Sequence, residues 1–524
     1  MMLKNLVFTY AVLAGATALS KELPPAMSYP FVYHLNEKEK GVSDVHKVKL
    51  LEDGLPSLQA RIDLIKKAKK TIDIEYFIYN LDRAGKLFTG VLIDAANRGV
   101  KVRLLVDMNI TIFQFDNYIV HQMNQLVKDN KIEVRYYNDS KDPSLAQYRT
   151  HRKFVIIDAE DEKEAIIGGR NIGDEYFDMS KDFNFHDRDM YIKGPAVKAM
   201  ADTFEVFWEH ELTVKPKPVK LMKMPLADWE NHVAKNLRNR YQTFKKRYQL
   251  FKRKMDRAMK FVTMTDSDRK LLTKIERKTR RHLDEIREYG CPELIFTSDH
   301  PGGRRSFDIK RGSRRVFTDN VKAVRKVLDE KIKGLEDNII VDSPYLLSNK
   351  ITIDLVESLK EREIDFTLYT NSLASTDAVY VAANFYSRKE FKQRKGMTVY
   401  LHQGNYYNPS GVMDEAVKEA KWGTHSKTQI YDNKEVMIGT YNIDNRSNYY
   451  NAEMGIFCKG DQGFVDEVRE AIEFRIDKGM KLINKKEAVD KDGNVKNPYG
   501  DTSLLNILFM KIIKPLSILA KDLL

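Results

Sequence analysis

The chain has 524 residues, of which 42% are hydrophobic and 31% charged, and this composition excludes a largely disordered protein. A chain of this length usually folds as roughly two to four domains. The formal net charge is +13. The two cysteines, Cys291 and Cys458, are too few for a disulfide framework or a cysteine-ligated metal site, and they say little about compartment.

The excess positive charge is local. Residues 214–290 contain 23 Lys or Arg and nine Asp or Glu, so this segment accounts for the whole net charge of the chain. A basic patch attracts nucleic acid or the anionic surface of a membrane. Charge alone does not distinguish these two partners.

The amino terminus has the layout of a secretory signal peptide. Lys4 precedes an uncharged, mostly apolar run that ends at Leu19, with small residues at Ala16, Ala18 and Ser20. We therefore predict a signal peptide over residues 1–20. An uncleaved membrane anchor and a buried amphipathic segment are the alternatives, although the run is short for a membrane span.

The first half shows alternating helix and strand patterns, which predict an α/β domain over residues 21–213. The first strand, helix and second strand form a βαβ unit, which implies a parallel core sheet. Helices are predicted at 57–69, 86–97 and 115–128, and strands from Thr71, at 101–107, at 132–137 and around His151.

The second half repeats this order, which predicts a second α/β domain over residues 291–490. Helices are predicted at 351–360 and 379–392, and strands from Asn338, from Asp365, at 397–401 and around His425. Two homologous halves, each carrying one copy of a shared motif, are the simplest explanation of the repeat.

Between the halves, residues 214–290 are predicted to form a basic helical insertion. Tyr241, Phe244, Tyr248 and Phe251 recur at spacings of three and four, so their rings share one helical face. We expect a helix or helical hairpin that packs this face on the body. Its exposed cations could also contact anionic lipid or nucleic acid. A break is expected at residues 263–266, because Thr265 and Asp268 have the spacing of a capping box.

The carboxyl-terminal tail, within residues 491–524, is apolar. Pro515 is expected to interrupt a helix here, and the segment is too broken to span a membrane. The tail either docks on the body or lies at a membrane interface.

The chemistry is concentrated in a pattern that occurs twice, as HRKFVIID from His151 to Asp158 and as HSKTQIYD from His425 to Asp432. Gly and Asn follow each copy, with Asn171 after the first and Asn442 after the second. Side chains alternate along a strand, so each histidine shares a face with the lysine two residues later, Lys153 or Lys427. Two solvated strands would not be expected to share all these features.

Two such His-Lys pairs in one cleft can transfer a phosphoryl group. One neutral imidazole attacks phosphorus, and the other, protonated, donates to the departing oxygen. Lysines 153 and 427, with Asn171 and Asn442, can bind the non-bridging phosphate oxygens. This scheme proceeds through a phosphohistidine, so we predict neither a metal nor a cofactor. Water as acceptor gives a hydrolase, and an alcohol gives a transferase.

The paired motifs resemble those of the phospholipase D superfamily over nearly the whole chain. The resemblance implies two homologous α/β/α sandwich halves that form one pseudo-twofold active site, with the basic helical insertion between them. It assigns catalytic positions to both motifs and supporting positions to the two asparagines. Gly169 and Thr440 stand where the family often has serine. The motif residues are His151, Lys153, Asp158, His425, Lys427 and Asp432, of which Asp158 is expected to hold the strand and loop in place.

An acidic residue orients each catalytic histidine in that family. Aligning Asp189-Met190-Tyr191-Ile192 with Glu453-Met454-Gly455-Ile456 nominates Asp189 and Glu453 for this role. Each would accept the imidazole N–H, which fixes the tautomer and stabilises the charged ring.

Four longer sequence segments resemble those of the bacterial cardiolipin synthase branch. They are GGRNIGDEYF from Gly168, SPY from Ser343, TNSLASTD from Thr370 and NIDNRSNYYNAE from Asn442. This resemblance implies transfer of a phosphatidyl group from phosphatidylglycerol or phosphatidylethanolamine to the headgroup of phosphatidylglycerol. The resemblance to the family suggests His151 as nucleophile and His425 as acid, although the two copies of the motif are nearly symmetric in sequence.

Three other functions remain open: hydrolytic phospholipase D activity, a phosphodiesterase or nuclease, and, least favoured, an inactive binding module. The predicted partners are a phospholipid substrate and an anionic membrane surface, whereas nucleic acid is disfavoured. The predicted location is the periplasmic side of a bacterial inner membrane. The oligomeric state is left open.

Overall fold

The computed structural model describes most of the chain. The predicted signal peptide or anchor, residues 1–20, lies outside the described residues. These are 31–36, 46–108, 115–129, 131–138, 147–222, 235–302, 322–347, 350–387, 396–407 and 410–519.

The described helices largely follow the predicted order. The second begins three residues earlier than predicted because the Asp82 side chain accepts a hydrogen bond from Gly85 N and caps it. The helices are α1 (Gly54–Lys67), α2 (Arg83–Asn97), α3 (Asn117–Gln125), α4 (Ala196–Glu209), α5 (Lys235–Val262), α6 (Asp266–Glu285), α7 (Ala323–Lys333), α8 (Lys350–Glu361), α9 (Val379–Phe385), α10 (Asn445–Tyr449), α11 (Gln462–Lys478) and α12 (Leu504–Leu519).

The strands predicted in each half are present in the predicted order, whereas the strands that follow each motif strand were not predicted. The strands of the first half and the insertion are β1 (Phe31–Asn36), β2 (His46–Leu51), β3 (Thr71–Tyr76), β4 (Lys101–Asp107), β5 (Glu133–Tyr137), β6 (Phe154–Ile157), β7 (Glu164–Gly168), β8 (Phe183–His186), β9 (Asp189–Lys193), β10 (Thr213–Val214) and β11 (Tyr289–Cys291).

Those of the second half and the tail are β12 (Glu293–Ser298), β13 (Asn338–Asp342), β14 (Asp365–Asn371), β15 (Met397–His402), β16 (Lys421–Thr424), β17 (Thr428–Tyr431), β18 (Glu435–Gly439), β19 (Met454–Lys459), β20 (Met480–Asn484), β21 (Glu487–Val489) and β22 (Val495–Lys496).

Each half is built on one large mixed sheet. In the first, the order is β10-β5-β4-β3-β6-β7-β9-β2-β11, and in the second it is β1-β12-β19-β18-β17-β13-β14-β15-β20-β21-β22. The expectation of parallel core sheets holds only for β3-β4-β5 and β13-β14-β15. The motif strands β6 and β17 and the hairpins after them run antiparallel, because tight turns join them to their neighbours.

The two sheets exchange strands at their edges. Strand β1, from the predicted first domain, pairs with β12 in the second sheet, and β11 pairs with β2 in the first. Cys291 at the end of β11 and Cys458 in β19 form a disulfide with a Cα–Cα distance of 5.6 Å. The two cysteines, unremarkable in sequence, thus join a strand of one sheet to a strand of the other.

A common core lies between the halves. One buried cluster takes side chains from both sheets, such as Ile156 and Ile192 of the first and Ile438 and Ile456 of the second, together with residues of α4 and α11. Helices α1 and α2 cover the first sheet in a second cluster, and α7 and α8 cover the second sheet in a third. This arrangement is the predicted pair of α/β/α layers.

The basic insertion is a helical hairpin packed on the first half. The predicted break is confirmed: α5 ends at Val262 and α6 begins at Asp266, where Thr265 and Asp268 form a capping box. On α5, Phe251 contacts Tyr118 of α3, with ring centroids 6.1 Å apart. Helix α6 packs on α1.

The tail forms helix α12, which docks on α9. Pro515 lies inside this helix without ending it, so the predicted interruption is wrong; proline costs one backbone hydrogen bond there. One face is buried, with Met510 only 2% exposed. No helix in the described part of the chain combines the length and apolarity needed to cross a bilayer.

Candidate active site

The two motifs meet where the halves face each other. Each histidine lies just before its motif strand, His151 before β6 and His425 before β17, and each is 5% exposed. Burial lowers the pKa values of His151 and Lys153 in the first half, and the charge of Lys427, from the second half, lowers both further. The two His-Lys pairs therefore share one site, as the repeat predicted.

His151 is held by an acid from the opposite half. Its Nδ1 lies 2.8 Å from Oε2 of Glu453. The backbone explains this crossing, because Thr150 forms a parallel bridge with Ala452 and His151 N donates to Ala452 O at 2.8 Å. The segment leading to the histidine thus runs beside the segment leading to its acid.

The second histidine repeats this arrangement with the halves exchanged. Strand β16, which leads to His425, pairs in parallel with β8, which leads to Asp187. His425 N donates to His186 O at 2.7 Å, and His425 Nδ1 lies 2.6 Å from Oδ2 of Asp187. The acid that contacts this histidine is therefore Asp187.

The nomination of Asp189 for this role is wrong. In the sheet register Gly168 lies opposite Asp189, whereas Gly439 of the second half lies opposite Gly455. Asp189 is therefore the counterpart of Gly455, and Asp187 is the counterpart of Glu453. The sequence alignment was displaced by two residues, and a displacement of two keeps every side chain on the same face of its strand.

Asp189 instead anchors a buried ionic cluster. Its Oδ2 lies 3.0 Å from Nη2 of Arg61 and 2.9 Å from Nη1 of Arg170, and the Ser57 hydroxyl donates to the same oxygen at 2.6 Å. Asp189 and both arginines are fully buried. Its part in the fold is to compensate two buried guanidinium charges.

The two acids receive different sets of hydrogen bonds. Glu453 accepts from the hydroxyls of Thr440 and Ser447 at 2.6 and 2.7 Å. Asp187 accepts from the Arg188 backbone N–H at 2.8 Å. At Gly169, the position equivalent to Thr440, a Cβ atom would lie 2.2 Å from Oδ1 of Asp187. Serine at this position would therefore displace Asp187.

Burial favours the neutral form of both imidazoles. It lowers the pKa of His151 to about 4 although Glu453 opposes the shift, and it lowers the pKa of His425 to about 4 with a further contribution from Lys427. The neighbouring positive charges outweigh burial at Glu453 and Asp187 and lower the pKa values of both carboxyls. Ionised carboxylates only accept hydrogen bonds, so each Nδ1 carries the proton and each Nε2 has a free lone pair.

The lysines are buried cations beside the histidines. Lys153 Nζ donates to the His151 carbonyl at 2.6 Å, and Lys427 Nζ lies 2.8 Å from His425 Nδ1 and donates to the His425 carbonyl. Burial lowers the pKa of Lys427 to about 8 and that of Lys153 well below its usual value. A bound phosphate anion would reverse both shifts, since it would stabilise the ammonium forms.

The supporting asparagines sit beside this site. Asn171 Oδ1 accepts from the Ile78 backbone N–H at 3.2 Å. Asn442 is 5% exposed, and its Oδ1 has no hydrogen-bond partner in the described part of the structure. Its backbone N–H donates to the Ser447 hydroxyl at 3.1 Å. The role of either side chain in binding phosphate stays a prediction.

The motif aspartates do not reach the reacting groups. Asp158, at the far end of β6, accepts three backbone hydrogen bonds of 2.7–2.8 Å from residues 69–71. Asp432 likewise accepts from residues 336–338 at 2.8–3.1 Å. Both are positioning residues that fix the start of a neighbouring strand, as expected for Asp158, and neither is a catalytic residue.

Aromatic rings enclose the histidines, and these were missed in the sequence. Phe77 meets the ring of His151 edge-on at 5.1 Å, and Tyr176 meets that of His425 edge-on at 5.3 Å. Phe185 lies 5.0 Å from His425. Tyr176 belongs to the segment GGRNIGDEYF, but no periodicity in the sequence indicates that any of these rings contacts a histidine.

The sequence profile described as "Cardiolipin synthase, PLD-like domain" matches residues 62–208 and 328–475. These two matches cover more than half of the chain, and each contains one of the paired motifs. The chain belongs to the phospholipase D-like family. It is an enzyme of the phospholipase D type, and the resemblance inferred from the motifs is confirmed.

Relatives of this phospholipase D-like enzyme include cardiolipin synthases. The chain is 27% identical over 433 residues to "Cardiolipin synthase C" of Escherichia coli, covering 78% of this chain and 81% of that protein. It is 27% identical over 450 residues to an uncharacterized protein of Helicobacter pylori, covering 83% and 80%. It is 34% identical over 166 residues to "Cardiolipin synthase 2" of Bacillus anthracis, covering 31% of each chain.

The two-sheet architecture also occurs in a solved structure. The crystal structure of phosphatidylserine synthase from Haemophilus influenzae aligns with a TM-score of 0.59 and 12% identity, covering 95% of this chain and 98% of that one. At this identity the similarity concerns the fold alone. It confirms the predicted α/β class with two phospholipase D-like repeats.

Proposed function

We propose that this enzyme makes cardiolipin by transferring a phosphatidyl group from one phospholipid to the glycerol headgroup of phosphatidylglycerol. The observation that carries the proposal is the crossed pairing of His151 with Glu453 and of His425 with Asp187. It provides two oriented imidazoles beside two lysines, as a double displacement at phosphorus requires. The names of the cardiolipin synthase relatives support the choice of lipid.

In the first displacement, the Nε2 lone pair of His151 attacks the phosphorus of the donor. The bond from phosphorus to the headgroup oxygen breaks, and His425 gives its proton to that oxygen. The headgroup leaves as a neutral alcohol, and the phosphatidyl group stays on His151 as a phosphohistidine. Lys153 and Lys427 stabilise the charge on the non-bridging oxygens.

In the second displacement, a hydroxyl of phosphatidylglycerol loses its proton to the now neutral His425. Its oxygen attacks phosphorus, the bond from phosphorus to Nε2 breaks, and His151 is restored. Cardiolipin leaves, and His425 again holds the proton that it held before the first step. Water in place of the alcohol would give phosphatidic acid, which is the hydrolase alternative.

The assignment of His425 as the acid follows the resemblance to the family, because the two histidine–acid pairs are nearly symmetric. For the first step it must hold a proton, although burial lowers its pKa to about 4. The charge of Lys427 lowers this pKa further, whereas the charges of Asp187 and Asp377 raise it. The negative phosphodiester raises it further when substrate binds.

The test is to incubate the purified enzyme with vesicles of phosphatidylglycerol, with and without phosphatidylethanolamine, and to identify products by mass. Cardiolipin supports the transferase. Phosphatidic acid as the only product would instead indicate a hydrolase. Nicking of a plasmid by an enzyme that is inert toward lipid would indicate a nuclease. H151A and H425A should each abolish turnover, whereas H121A, on α3, should not. Full activity in either motif variant would refute the two-histidine mechanism.

We also propose that the enzyme works at an anionic bilayer, which it meets through α12. Five large apolar side chains of this helix are 50–84% exposed: Leu504, Leu505, Leu508, Ile512 and Leu516. They recur at helical spacing and form one stripe, and the exposed Lys511 lies within it. An apolar stripe with a cation suits an anionic lipid surface, which accepts leucine side chains and attracts ammonium groups.

This surface can be tested by flotation on vesicles that contain phosphatidylglycerol. L508E/I512E should lose most vesicle binding and retain activity on a soluble diester. I483E changes a side chain of similar exposure, 48%, on strand β20 and should bind as the wild type does. Equal binding by all three proteins would refute the role of α12.

Export to the periplasmic face of a bacterial inner membrane remains our proposal for the location. The Cys291–Cys458 disulfide suits an oxidising compartment, and the sequence of residues 1–20 suits a secretion signal. Determination of the amino-terminal residue of membrane-fractionated protein would test it. A mature terminus near Ser20 in a periplasmic fraction is expected, and a cytosolic protein that begins at Met1 would contradict it.

A further inference from the structure

One hydrogen bond joins two of the sequence segments that resemble the cardiolipin synthase branch. Tyr345, the last residue of SPY, donates its hydroxyl to Oδ1 of Asp377, the last residue of TNSLASTD, at 2.8 Å. Both side chains are half-buried. In the proposed double displacement, this pair has no role beyond the effect of the Asp377 charge on His425.

The loop that carries Asp377 lies against the backbone that leads to His425. Asn371 Oδ1 accepts from Thr424 N at 2.8 Å, and Asn371 Nδ2 donates to Thr424 O at 2.7 Å. A Cβ atom on Gly423 would lie 1.9 Å from the Ser375 carbonyl oxygen, so only glycine allows this approach. The loop is therefore held in place beside the second histidine.

Asp377 lies close enough to the second histidine–lysine pair for its charge to act on it. Burial lowers the pKa values of His425 and Lys427, and the Asp377 charge opposes this shift. Burial raises the pKa values of Tyr176, Tyr345 and Tyr380, and the same charge raises them further. Among the described residues Asp377 forms no ion pair, and its only hydrogen bond is the one from Tyr345. The Oδ2 atom of this half-buried residue is thus left for a ligand, with phenol rings nearby.

We propose that Asp377 and Tyr345 form the subsite for the headgroup alcohol that leaves or enters beside His425. The carboxylate would accept a hydrogen bond from a second donor group on that alcohol, a hydroxyl of glycerol or the ammonium of ethanolamine. It would thereby favour these headgroups over alcohols without such a donor. The inference rests on the proposed phosphatidyl transfer and adds the group that selects the headgroup.

Because Asp377 also acts on His425, a fall in rate alone would not identify the subsite. The test therefore compares donors. Release of headgroup is measured from phosphatidylglycerol, phosphatidylethanolamine and phosphatidylmethanol, whose methanol carries no second donor. If the Asp377 charge acts only on His425, its loss slows headgroup release from all three donors alike. If Asp377 also binds the headgroup, its loss slows release from the first two donors more.

D377N keeps an acceptor for Tyr345 and removes the charge. We expect the kcat/KM ratio of each of the first two donors to phosphatidylmethanol to fall at least tenfold, and the ammonium headgroup to be affected most. Y345F keeps the charge and should reduce the ratios less. D354N, on the exposed face of α8, is the matched control and should leave all three rates unchanged.

Unchanged ratios in D377N would overturn the subsite, whether the rates fall together or stay at the wild-type level. A wild-type enzyme that releases headgroups but makes no cardiolipin would refute the transferase and leave the comparison of headgroups valid. A wild-type enzyme inert toward all three lipids would refute both proposals.

Discussion

Glu453 holds His151 across the interface between the two halves, with Oε2 2.8 Å from Nδ1 although 302 residues separate the two in sequence. Asp187 holds His425 in the reverse direction. Neither half therefore contains a complete histidine–acid pair of its own. Any movement of one half against the other would alter the orientation of both imidazoles, so the shared core and the two sheets that exchange strands also position the chemistry.

The two aspartates at positions 187 and 189 should respond differently to the same substitution. D187N removes the carboxylate charge, and because the Arg188 N–H would hold the amide oxygen, the amide NH₂ would face His425 Nδ1. The tautomer with a free Nε2 is then no longer favoured, and kcat should fall about 10³–10⁴-fold. D189N leaves two buried guanidinium groups without their carboxylate and should lower the free energy of unfolding by about 3–5 kcal/mol. Rates are measured per folded molecule and stability by thermal unfolding.

In D189N, the rate per folded molecule should stay within about threefold of the wild type, because Asp189 touches neither histidine. A loss of activity equal to that of D187N would contradict the assignment of the acids.

The pH dependence of kcat/KM should differ from that of an ordinary histidine enzyme. A nucleophilic imidazole must be unprotonated, and with a pKa of about 4 for both histidines it stays so down to pH 5. Lys153 and Lys427 must be protonated, and burial lowers the pKa values of both, that of Lys427 to about 8, so kcat/KM should decline as the pH rises. Bis(p-nitrophenyl) phosphate, whose leaving group needs no acid, is a suitable substrate.

The profile should show no fall as the pH is lowered from about 6.5 to 5, since kcat/KM reports the free enzyme. A fall of about fivefold between pH 6.5 and 5.5 would show an unperturbed histidine and contradict the burial of the site.

Substitution of Asp158 should cost stability and spare the chemistry. D158A removes the acceptor of three backbone hydrogen bonds and places alanine at a φ of 42°, so the free energy of unfolding should fall by about 2–4 kcal/mol. D158N keeps one acceptor and tolerates this φ, so it should fall less. Denaturant titration gives the stability, and kcat per folded molecule should remain near the wild-type value. Wild-type stability with lost activity would instead indicate a catalytic role.

The disulfide should be present and stabilising in protein isolated under oxidising conditions. A thiol titration in denaturant should find no free thiol before reduction and two after it. C291S/C458S should lower the free energy of unfolding by up to about 5 kcal/mol, because the bond closes a long loop with a separation of 167 residues. With reductant present, wild type and variant should unfold alike, which controls for the loss of the two buried side chains. Two free thiols in the unreduced wild type would contradict the bond.

Much of the site was predictable because its residues are encoded locally. His151 and Lys153 are two apart on an extended segment, and so are His425 and Lys427, so period-two geometry places each pair together. Thr265 and Asp268 marked the start of α6 for the same reason, since a capping box is contained in four residues. The duplicated motif also predicted one shared cleft.

The sequence by itself determined the residue pairs that do the chemistry, the α/β order of both halves and the phospholipase D type of reaction. Only the tertiary structure decided that Asp187, not Asp189, holds His425, that β1 completes the second sheet and that the two cysteines meet. The reason is physical. Alternation along a strand is unchanged by a shift of two residues, so only the pairing with a distant strand sets the register, and contacts hundreds of residues apart leave no local pattern.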